Sequence, residues 1–209
     1  MLNAASTTSE ALALGSATLG ESGARRMHPR VKPAWDGARL AGPAYPVSCS
    51  PGDNLGIHVA VARAPAGSVI VADMGGARDF GYWGEVLTTG AQARGLVGLV
   101  IDGGVRDCDA LATHAFPVFS TGIALTGATK EQPGTIEQPV MVGDVAVEPG
   151  AWVVGDVDGV VVIPSAAIDD VLAAGRARAD KEADLFTALR GGATTVEQFG
   201  LDVRLIDGA

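Results

Sequence analysis

Two apolar runs, each ending in a pair of glycines, constrain the fold of this chain more than any other feature. Residues 68–74 (SVIVADM) and residues 96–101 (LVGLVI) have the length and the Val/Ile/Leu content of strands covered on both faces. Residues 84–94, between them, have the pattern of a helix. A strand, a glycine loop, a helix and a second strand predict a βαβ unit with parallel strands, so both glycine loops leave the sheet at the same edge.

The second run ends in Gly103 and Gly104, which are followed by Arg106 and Asp107. Glycines permit a tight turn and leave room for a ligand, and open α/β sheets hold their ligands at this edge. An arginine beside an aspartate suits a site in which Asp107 binds a metal ion and Arg106 binds a negatively charged substrate. The same pair also suits a salt-bridged turn without a functional role.

The predicted helix at residues 84–94 directs its N-terminus at the same edge. The amides of Val86 and Leu87 there have no intrahelical acceptor, and a helix N-terminus favours a carboxylate or a phosphate. Glu85 is stabilised at the same place by the helix dipole. Neither glycine loop reads GxGxxG and no P-loop lysine follows, so the pattern does not indicate a dinucleotide site.

An earlier turn, PGDN at residues 51–54, predicts a helix with Asp53 as its N-cap. Four residues would then share one face of this helix: Leu55, His58, Val59 and Ala62. Asn54, in its first turn, either caps the helix or contacts a ligand. Residues 77–83 are predicted to form a loop.

The C-terminal part of the chain has a different sequence pattern. Short Val-rich runs between residues 140 and 163 predict antiparallel strands. A long helix is predicted from Ser165, as N-cap, to about residue 190, with an apolar face of Ile168, Leu172, Gly175, Ala179 and Phe186. Glu182 falls within this stripe, where a carboxylate needs an arginine partner, a metal ion or a subunit boundary.

Composition excludes several classes of protein. The 209 residues carry a net charge of −9, which argues against a general binder of the nucleic-acid backbone. The only basic cluster, residues 25–32, suits contact with an anionic ligand or partner, but in so acidic a chain a solvated loop is expected. The two cysteines are expected to be buried thiols. No signal-peptide layout or membrane-length apolar run is found, so a cytoplasmic location is expected.

Six motifs together resemble a known family. These motifs are PGDN (51–54), GEVL (84–87), VIDGGVRD (100–107), FPVF (116–119), GDVDGV (155–160) and KE (181–182). The chain resembles the family that joins the class II 4-hydroxy-4-methyl-2-oxoglutarate/4-carboxy-4-hydroxy-2-oxoadipate aldolases to the regulators of ribonuclease E activity. The resemblance covers about residues 43–201.

The resemblance implies an α/β/β sandwich like a phosphohistidine swivelling domain, assembled into homotrimers or homohexamers with active sites between subunits. It suggests an N-terminal helical segment and loop (1–42), an α/β core (43–164) and a C-terminal helix and tail (165–209) that contributes to a neighbouring subunit's site.

For the site residues, the resemblance implies that Asp107 ligates Mg²⁺ or Mn²⁺ and that Arg106 contacts the pyruvyl unit. Glu85, and Glu182 of a neighbouring subunit, would hold metal-bound waters. The substrate carboxylate would lie at the helix N-terminus formed by Gly84, Val86 and Leu87, assisted by Asn54.

The activity implied is retro-aldol cleavage of a 4-hydroxy-2-oxo acid to pyruvate and a second 2-oxo acid, with oxaloacetate decarboxylation as a side activity. The regulator branch typically lacks the acidic residue after the arginine, so Asp107 favours the enzyme. A regulator that binds ribonuclease E, or an enzyme for another hydroxy-oxo acid, stays an alternative. The three lysines lie in polar stretches, which argues against a Schiff-base aldolase.

Overall fold

The computed structural model describes residues 4–207, which form a mixed α/β fold. The helices are α1 (Ala4–Glu21), α2 (Leu55–Arg63), α3 (Glu85–Ala93), α4 (Cys108–Thr113), α5 (Ile168–Arg190), α6 (Thr195–Phe199) and α7 (Arg204–Asp207). The strands are β1 (Arg25–Arg26), β2 (Lys32–Pro33), β3 (Leu40–Ser48), β4 (Val69–Asp73), β5 (Phe80–Trp83), β6 (Gly98–Asp102), β7 (Gly104–Val105), β8 (Val118–Ser120), β9 (Gly122–Ile123), β10 (Thr126–Gly127), β11 (Thr135–Ile136), β12 (Val140–Val142), β13 (Val145–Val147), β14 (Trp152–Gly155) and β15 (Val160–Ile163).

The larger sheet is built on four parallel strands in the order β3, β4, β6, β8. The strands β14 and β15 extend it antiparallel from β3. The predicted βαβ unit is therefore confirmed as β4, α3 and β6, and the antiparallel pairing predicted for residues 140–163 is confirmed in β12 with β13 and in β14 with β15. The likeness to a swivelling domain stays a prediction.

A smaller sheet of short parallel strands, in the order β10, β5, β7, β9, carries the candidate site. Its strand β5 lies in the stretch predicted to be a loop, and that prediction was wrong. Its aromatic residues favour a strand, but the strand is only four residues long and its partners β7 and β10 lie later in the chain, so it was missed.

Glycine at the ends of β6 and β7 serves the packing of these strands. A Cβ on Gly103 would lie 2.8 Å from Met74 Cγ, and one on Gly104 would lie 2.7 Å from the Phe80 carbonyl oxygen. The space at these two positions is filled by neighbouring residues of the chain, so the prediction that they leave room for a ligand was wrong.

Three buried clusters hold the layers together. The first joins α2 and α3 to one face of the parallel strands. The second places β12 and β13 on the opposite face. The third packs α1 and the start of α5 on β14 and β15, through Ala11, Leu19, Val154, Val161 and Leu172. No helix within residues 4–207 is long and apolar enough to cross a membrane.

The predicted apolar face of α2 was wrong, and that of α5 was right only near the start of the helix. In α2 the buried residues are Gly56, Ile57, Ala60 and Val61 instead of the predicted set. Both faces of this short helix carry aliphatic residues, so the sequence period was ambiguous. In α5, Leu172 and Gly175 are buried as predicted, but Ala179 and Phe186 are exposed because the helix runs past the core. A 3₁₀ turn, Ser165–Ala167, precedes α5, so Ser165 is not its N-cap.

The basic cluster at residues 25–32 is solvent-exposed at Arg25, Arg26 and Lys32, as predicted, but it is not a loop throughout. Arg25 and Arg26 form the edge strand β1, paired with β15. Arg30 donates to Asp102 at 3.0 Å and to Asp144 at 2.6 Å. The cluster is thus part of the sheet edge and of an ion-pair network. The network was not predicted, because Asp102 and Asp144 are far from Arg30 in the sequence and approach it only in the fold.

Candidate functional site

A cleft of about 170 Å³ opens where the smaller sheet meets the N-termini of α2 and α3. Six of the eight predicted site residues line it: Asn54, Gly84, Val86, Leu87, Arg106 and Asp107. They come from three separate segments, and the shared strand edge predicted from the βαβ unit accounts for the meeting of two of them, residues 84–87 and 106–107.

Arg106 and Asp107 lie side by side but form only a loose pair. The Arg106 backbone N–H donates to the Trp83 carbonyl at 2.9 Å, which continues the pairing of β7 with β5. The Arg106 Nε and Asp107 Oδ2 atoms are 3.9 Å apart, and the two side chains are 44% and 41% exposed. Because the pair is long and open to solvent, both charges remain accessible to a ligand.

Two other glycines make the room for this pair. A Cβ on Gly81 would lie 3.1 Å from the Arg106 Cδ atom, and one on Gly84 would clash with Asp107 Oδ2. The stem of Arg106 and the carboxylate of Asp107 therefore pass directly over glycine backbone. Any larger residue at Gly84 would displace the carboxylate.

The N-terminus of α3 completes this side of the cleft. The Asp107 Oδ2 atom accepts a hydrogen bond from the Glu85 backbone N–H at 3.0 Å. The amides of Val86 and Leu87 lie in the same first turn, where a helix offers no backbone acceptor. The cleft thus combines a guanidinium, a carboxylate and the positive end of a helix.

The two predicted glutamates lie outside the cleft of their own chain. The Glu85 side chain is turned to His114, with Oε1 and Nε2 3.4 Å apart. Glu182 lies on α5, beside Lys181 and Phe199 in a different pocket, and pairs with Arg178 at 2.9 Å. The arginine partner that the sequence left open for Glu182 is therefore present.

Asn54 occupies the N-cap position of α2, which the sequence assigned to Asp53. That prediction was wrong, although Asp53 Oδ1 still accepts from the Leu55 N–H at 2.8 Å. The Asn54 Nδ2 atom donates to the Tyr82 carbonyl at 2.8 Å, while its buried Oδ1 atom has no partner within residues 4–207. A buried acceptor of this kind is normally satisfied by water or a ligand.

Sequence reasoning missed the contribution of Lys130. It lies in the exposed stretch between β10 and β11, yet it lines the cleft with His58. Burial and the charge of Lys130 lower the pKa of the His58 imidazole, with Asp53 opposing them. No local pattern marks Lys130, because only the folded path of the loop brings it to the cleft.

The donor set fits a hard divalent cation with few protein ligands. Within the described chain no three His, Cys, Asp or Glu side chains converge on one point. Asp107 is the carboxylate that lines the cleft. Mg²⁺ is commonly held by one or two carboxylates, with water and substrate oxygens completing its shell. The residues present therefore fit such an ion together with a chelating substrate.

A sequence model of the RraA-like family, described as Aldolase/RraA, matches residues 6–162. The chain belongs to the RraA-like family. A Halalkalibacterium halodurans protein provisionally named 4-hydroxy-4-methyl-2-oxoglutarate aldolase is 36% identical to it over 154 residues, which are 73% of each chain.

Two solved structures extend the RraA-like comparison. An uncharacterized protein from Pseudomonas syringae pv. tomato superposes with a TM-score of 0.84 and 29% identity, covering 95% of this chain and 94% of that one. The RNA-processing inhibitor RraA from Thermus thermophilus superposes with a TM-score of 0.61 and 27% identity, covering 68% of this chain and 85% of that one. The RraA-like family thus includes both proteins named as aldolases and proteins named as inhibitors.

Proposed function

We propose that the protein is a divalent-metal-dependent pyruvate aldolase. It would cleave 4-hydroxy-4-methyl-2-oxoglutarate or 4-carboxy-4-hydroxy-2-oxoadipate to pyruvate and a second 2-oxo acid, and decarboxylate oxaloacetate. The observation that carries the proposal is that Arg106, Asp107 and the N-terminus of α3 share one cleft. The relatives named as aldolases support it.

Each group of the cleft has a task in this chemistry. Breaking the bond between C3 and C4 leaves negative charge that delocalises onto the C2 oxygen. Arg106 would stabilise that charge, and the amides of Val86 and Leu87 would bind the C1 carboxylate. Asp107 would hold Mg²⁺ or Mn²⁺, and such an ion supplies Lewis-acid stabilisation of the same oxygen.

The remaining groups fit the other half of the substrate. Lys130 provides a second positive charge in the cleft, which suits the second carboxylate of these dicarboxylic and tricarboxylic acids. The proton of the C4 hydroxyl would pass to a water held by Glu182 of a neighbouring subunit or by Glu85, whose side chain would have to turn from His114 into the cleft. Lys130 is exposed, unlike the desolvated lysine of a Schiff-base mechanism.

The role of Glu182 requires a trimer or hexamer in which α5 reaches the next subunit's cleft. This proposal is supported by the exposed apolar residues Phe186 and Phe199 on the C-terminal helices and Leu201 in the loop after α6. Mixing inactive Arg106→Ala and Glu182→Ala subunits should restore part of the activity, since some sites would then take both residues from intact chains. No restoration after subunit exchange would place Glu182 outside the site.

A panel of 4-hydroxy-2-oxo acids and oxaloacetate, with pyruvate release as the readout, tests the function directly. Release should require Mg²⁺ or Mn²⁺ and should stop on addition of EDTA. The competing function, a regulator of an RNA-processing enzyme, is favoured by the likeness to the Thermus inhibitor. A parallel pull-down with ribonuclease E distinguishes them: binding without pyruvate release from any substrate would replace the aldolase proposal.

A further inference from the structure

Asp53 accepts more hydrogen bonds than any other carboxylate near the cleft, yet it has no role in the proposed reaction. Its side chain is buried, with the residue 1% exposed. One oxygen, Oδ1, accepts from the Leu55 N–H at 2.8 Å. The other, Oδ2, accepts from the Thr129 hydroxyl at 2.7 Å and from the backbone N–H groups of Glu131 and Gln132 at 2.6 and 3.1 Å.

The three donors to Oδ2 flank Lys130 on both sides along the chain. Two backbone hydrogen bonds add to this attachment: the Asn54 N–H donates to the Thr129 carbonyl, and the Thr129 N–H donates to the Gly52 carbonyl, each at 2.9 Å. Residues 129–135 are otherwise exposed. Asp53 therefore ties an exposed segment to the buried start of α2, next to the cleft.

The charge on Asp53 strengthens this attachment. Burial alone would raise the pKa of the carboxyl. Hydrogen bonds from the amides of Glu131 and Leu55 and from the Thr129 hydroxyl outweigh burial and lower the pKa to about 2. The group is thus a carboxylate at neutral pH, and hydrogen bonds to an ionised acceptor are about twice as strong as neutral ones.

We infer that Asp53 is a positioning residue that fixes the backbone on both sides of Lys130 and so holds this cation at the cleft, where it binds the second carboxylate of the substrate. The inference rests on the proposed function for the identity of the ligand. A purely structural role, capping α2 through Leu55, is the alternative. The two differ in whether losing the carboxylate affects Lys130 selectively.

The kinetic test compares Asp53→Asn with the wild-type protein. The asparagine amide has one acceptor oxygen, which can accept either from the Leu55 N–H or from the donors in residues 129–132. Its NH₂ group then faces the remaining donors and cannot accept from them. The KM for oxaloacetate, which has a second carboxylate, should rise about tenfold. Exchange of the pyruvate methyl protons in D₂O should change much less, because pyruvate has no second carboxylate. Ser50→Ala, which removes the hydrogen bond from Ser50 to the Pro133 carbonyl in the same segment, is the matched control and should leave both values unchanged.

A second readout needs no substrate and separates this inference from the proposed function. His58 lies beside Lys130, and the lysine charge lowers its pKa. In the wild-type background, Lys130→Ala should raise the His58 pKa measured by NMR titration. In the Asp53→Asn background the same change should have little effect, because Lys130 is no longer held near the imidazole.

The inference is overturned if Asp53→Asn changes the KM for oxaloacetate less than twofold, or if Lys130→Ala shifts the His58 pKa equally in both backgrounds. Should Asp53→Asn fail to fold, Thr129→Val replaces it, since it removes one donor to Oδ2 and keeps the charge. Absence of both pyruvate release and proton exchange in the wild-type protein would reject the proposed function instead. The His58 titrations would still decide whether Asp53 positions Lys130.

Discussion

At Asp107 the backbone adopts the left-handed conformation, with φ 59° and ψ 37°. This region is unfavourable for an L-residue, although aspartate tolerates it better than most. The conformation follows the short strand β7 and turns the carboxylate towards the first turn of α3, where it meets the Glu85 N–H. Strain of this kind is retained where the surrounding structure fixes it, which is common at functional sites.

Replacing Arg106 by alanine should reduce kcat/KM for pyruvate release about 100-fold to 1,000-fold, as removal of an oxyanion donor does in other enzymes. The fold should be unaffected, because the side chain is 44% exposed and its ion pair is loose. Steady-state kinetics and circular dichroism measure the two effects. The control is Arg63→Ala, an exposed arginine of α2. A rate within tenfold of wild type would remove Arg106 from the mechanism.

Lowering the pH should remove the contribution of the Asp53 carboxylate to the free energy of unfolding. Its pKa of about 2 in the folded protein lies below the value of about 3.9 expected in the unfolded chain. Its contribution is therefore complete above about pH 4 and is lost as the pH falls towards about 2. Urea unfolding should show the stability difference between wild type and Asp53→Asn shrinking over this range. A constant difference would mean that Asp53 carries no depressed pKa.

The site could be predicted only in part. Arg106, Asp107 and the amides of α3 follow a local motif on a recognisable strand and helix, so their meeting was predictable. Lys130 and Gly81 were missed because they reach the cleft through pairings between distant segments. Glu85 lies in the motif, but its side chain direction depends on His114, which no spacing rule connects to it.

Among the elements, the start of α3 is the one on which the cleft depends most. Gly84 is its N-cap, and Asp107 packs directly on the glycine backbone. The helix start was predicted correctly, because a glycine followed by an acidic residue in the first turn is a local signal. The start of α5 was not, because a 3₁₀ turn closed by the Ala167 N–H on the Pro164 carbonyl precedes it, and such turns are common at helix N-termini.

A methyl group at Gly84 should inactivate the cleft without unfolding the protein. The new Cβ would overlap Asp107 Oδ2 and force the carboxylate away from the Glu85 N–H. We expect kcat/KM to fall about 100-fold in Gly84→Ala, since small displacements of a catalytic group have effects of this size. Gly122→Ala is the matched control, because a Cβ there meets nothing within 4 Å. Equal activity of the two variants would show that the position of Asp107 is unimportant.

For the whole molecule, the carboxylate of Asp102 joins three distant segments. It accepts from Arg78 Nε at 2.6 Å and from Arg30 at 3.0 Å, and Arg30 also binds Asp144 in the turn between β12 and β13. Asp102 ends β6, five residues before Asp107. The network therefore fixes the ends of both sheets relative to the N-terminal segment.

Removal of Asp102 should destabilise the protein far more than removal of Asp144. Asp102→Ala leaves two arginines without their shared, largely buried partner, at a cost of about 2 kcal/mol in the free energy of unfolding. The Asp144 side chain is 65% exposed, so water replaces its carboxylate, and Asp144→Asn, which keeps a residue suited to the left-handed backbone there, should have little effect. Urea unfolding of both variants measures this. Equal midpoints would mean that the network does not hold the segments together.

A crystal structure of the protein soaked with Mg²⁺ and pyruvate tests most directly whether Arg106, Asp107 and the N-terminus of α3 form the active site. We expect an ion within about 2.1 Å of an Asp107 carboxylate oxygen, with the pyruvate keto oxygen facing Arg106 and its carboxylate at the amides of Val86 and Leu87. An empty cleft, with Asp107 bonded only to the Glu85 N–H and Arg106 directed away, would contradict it.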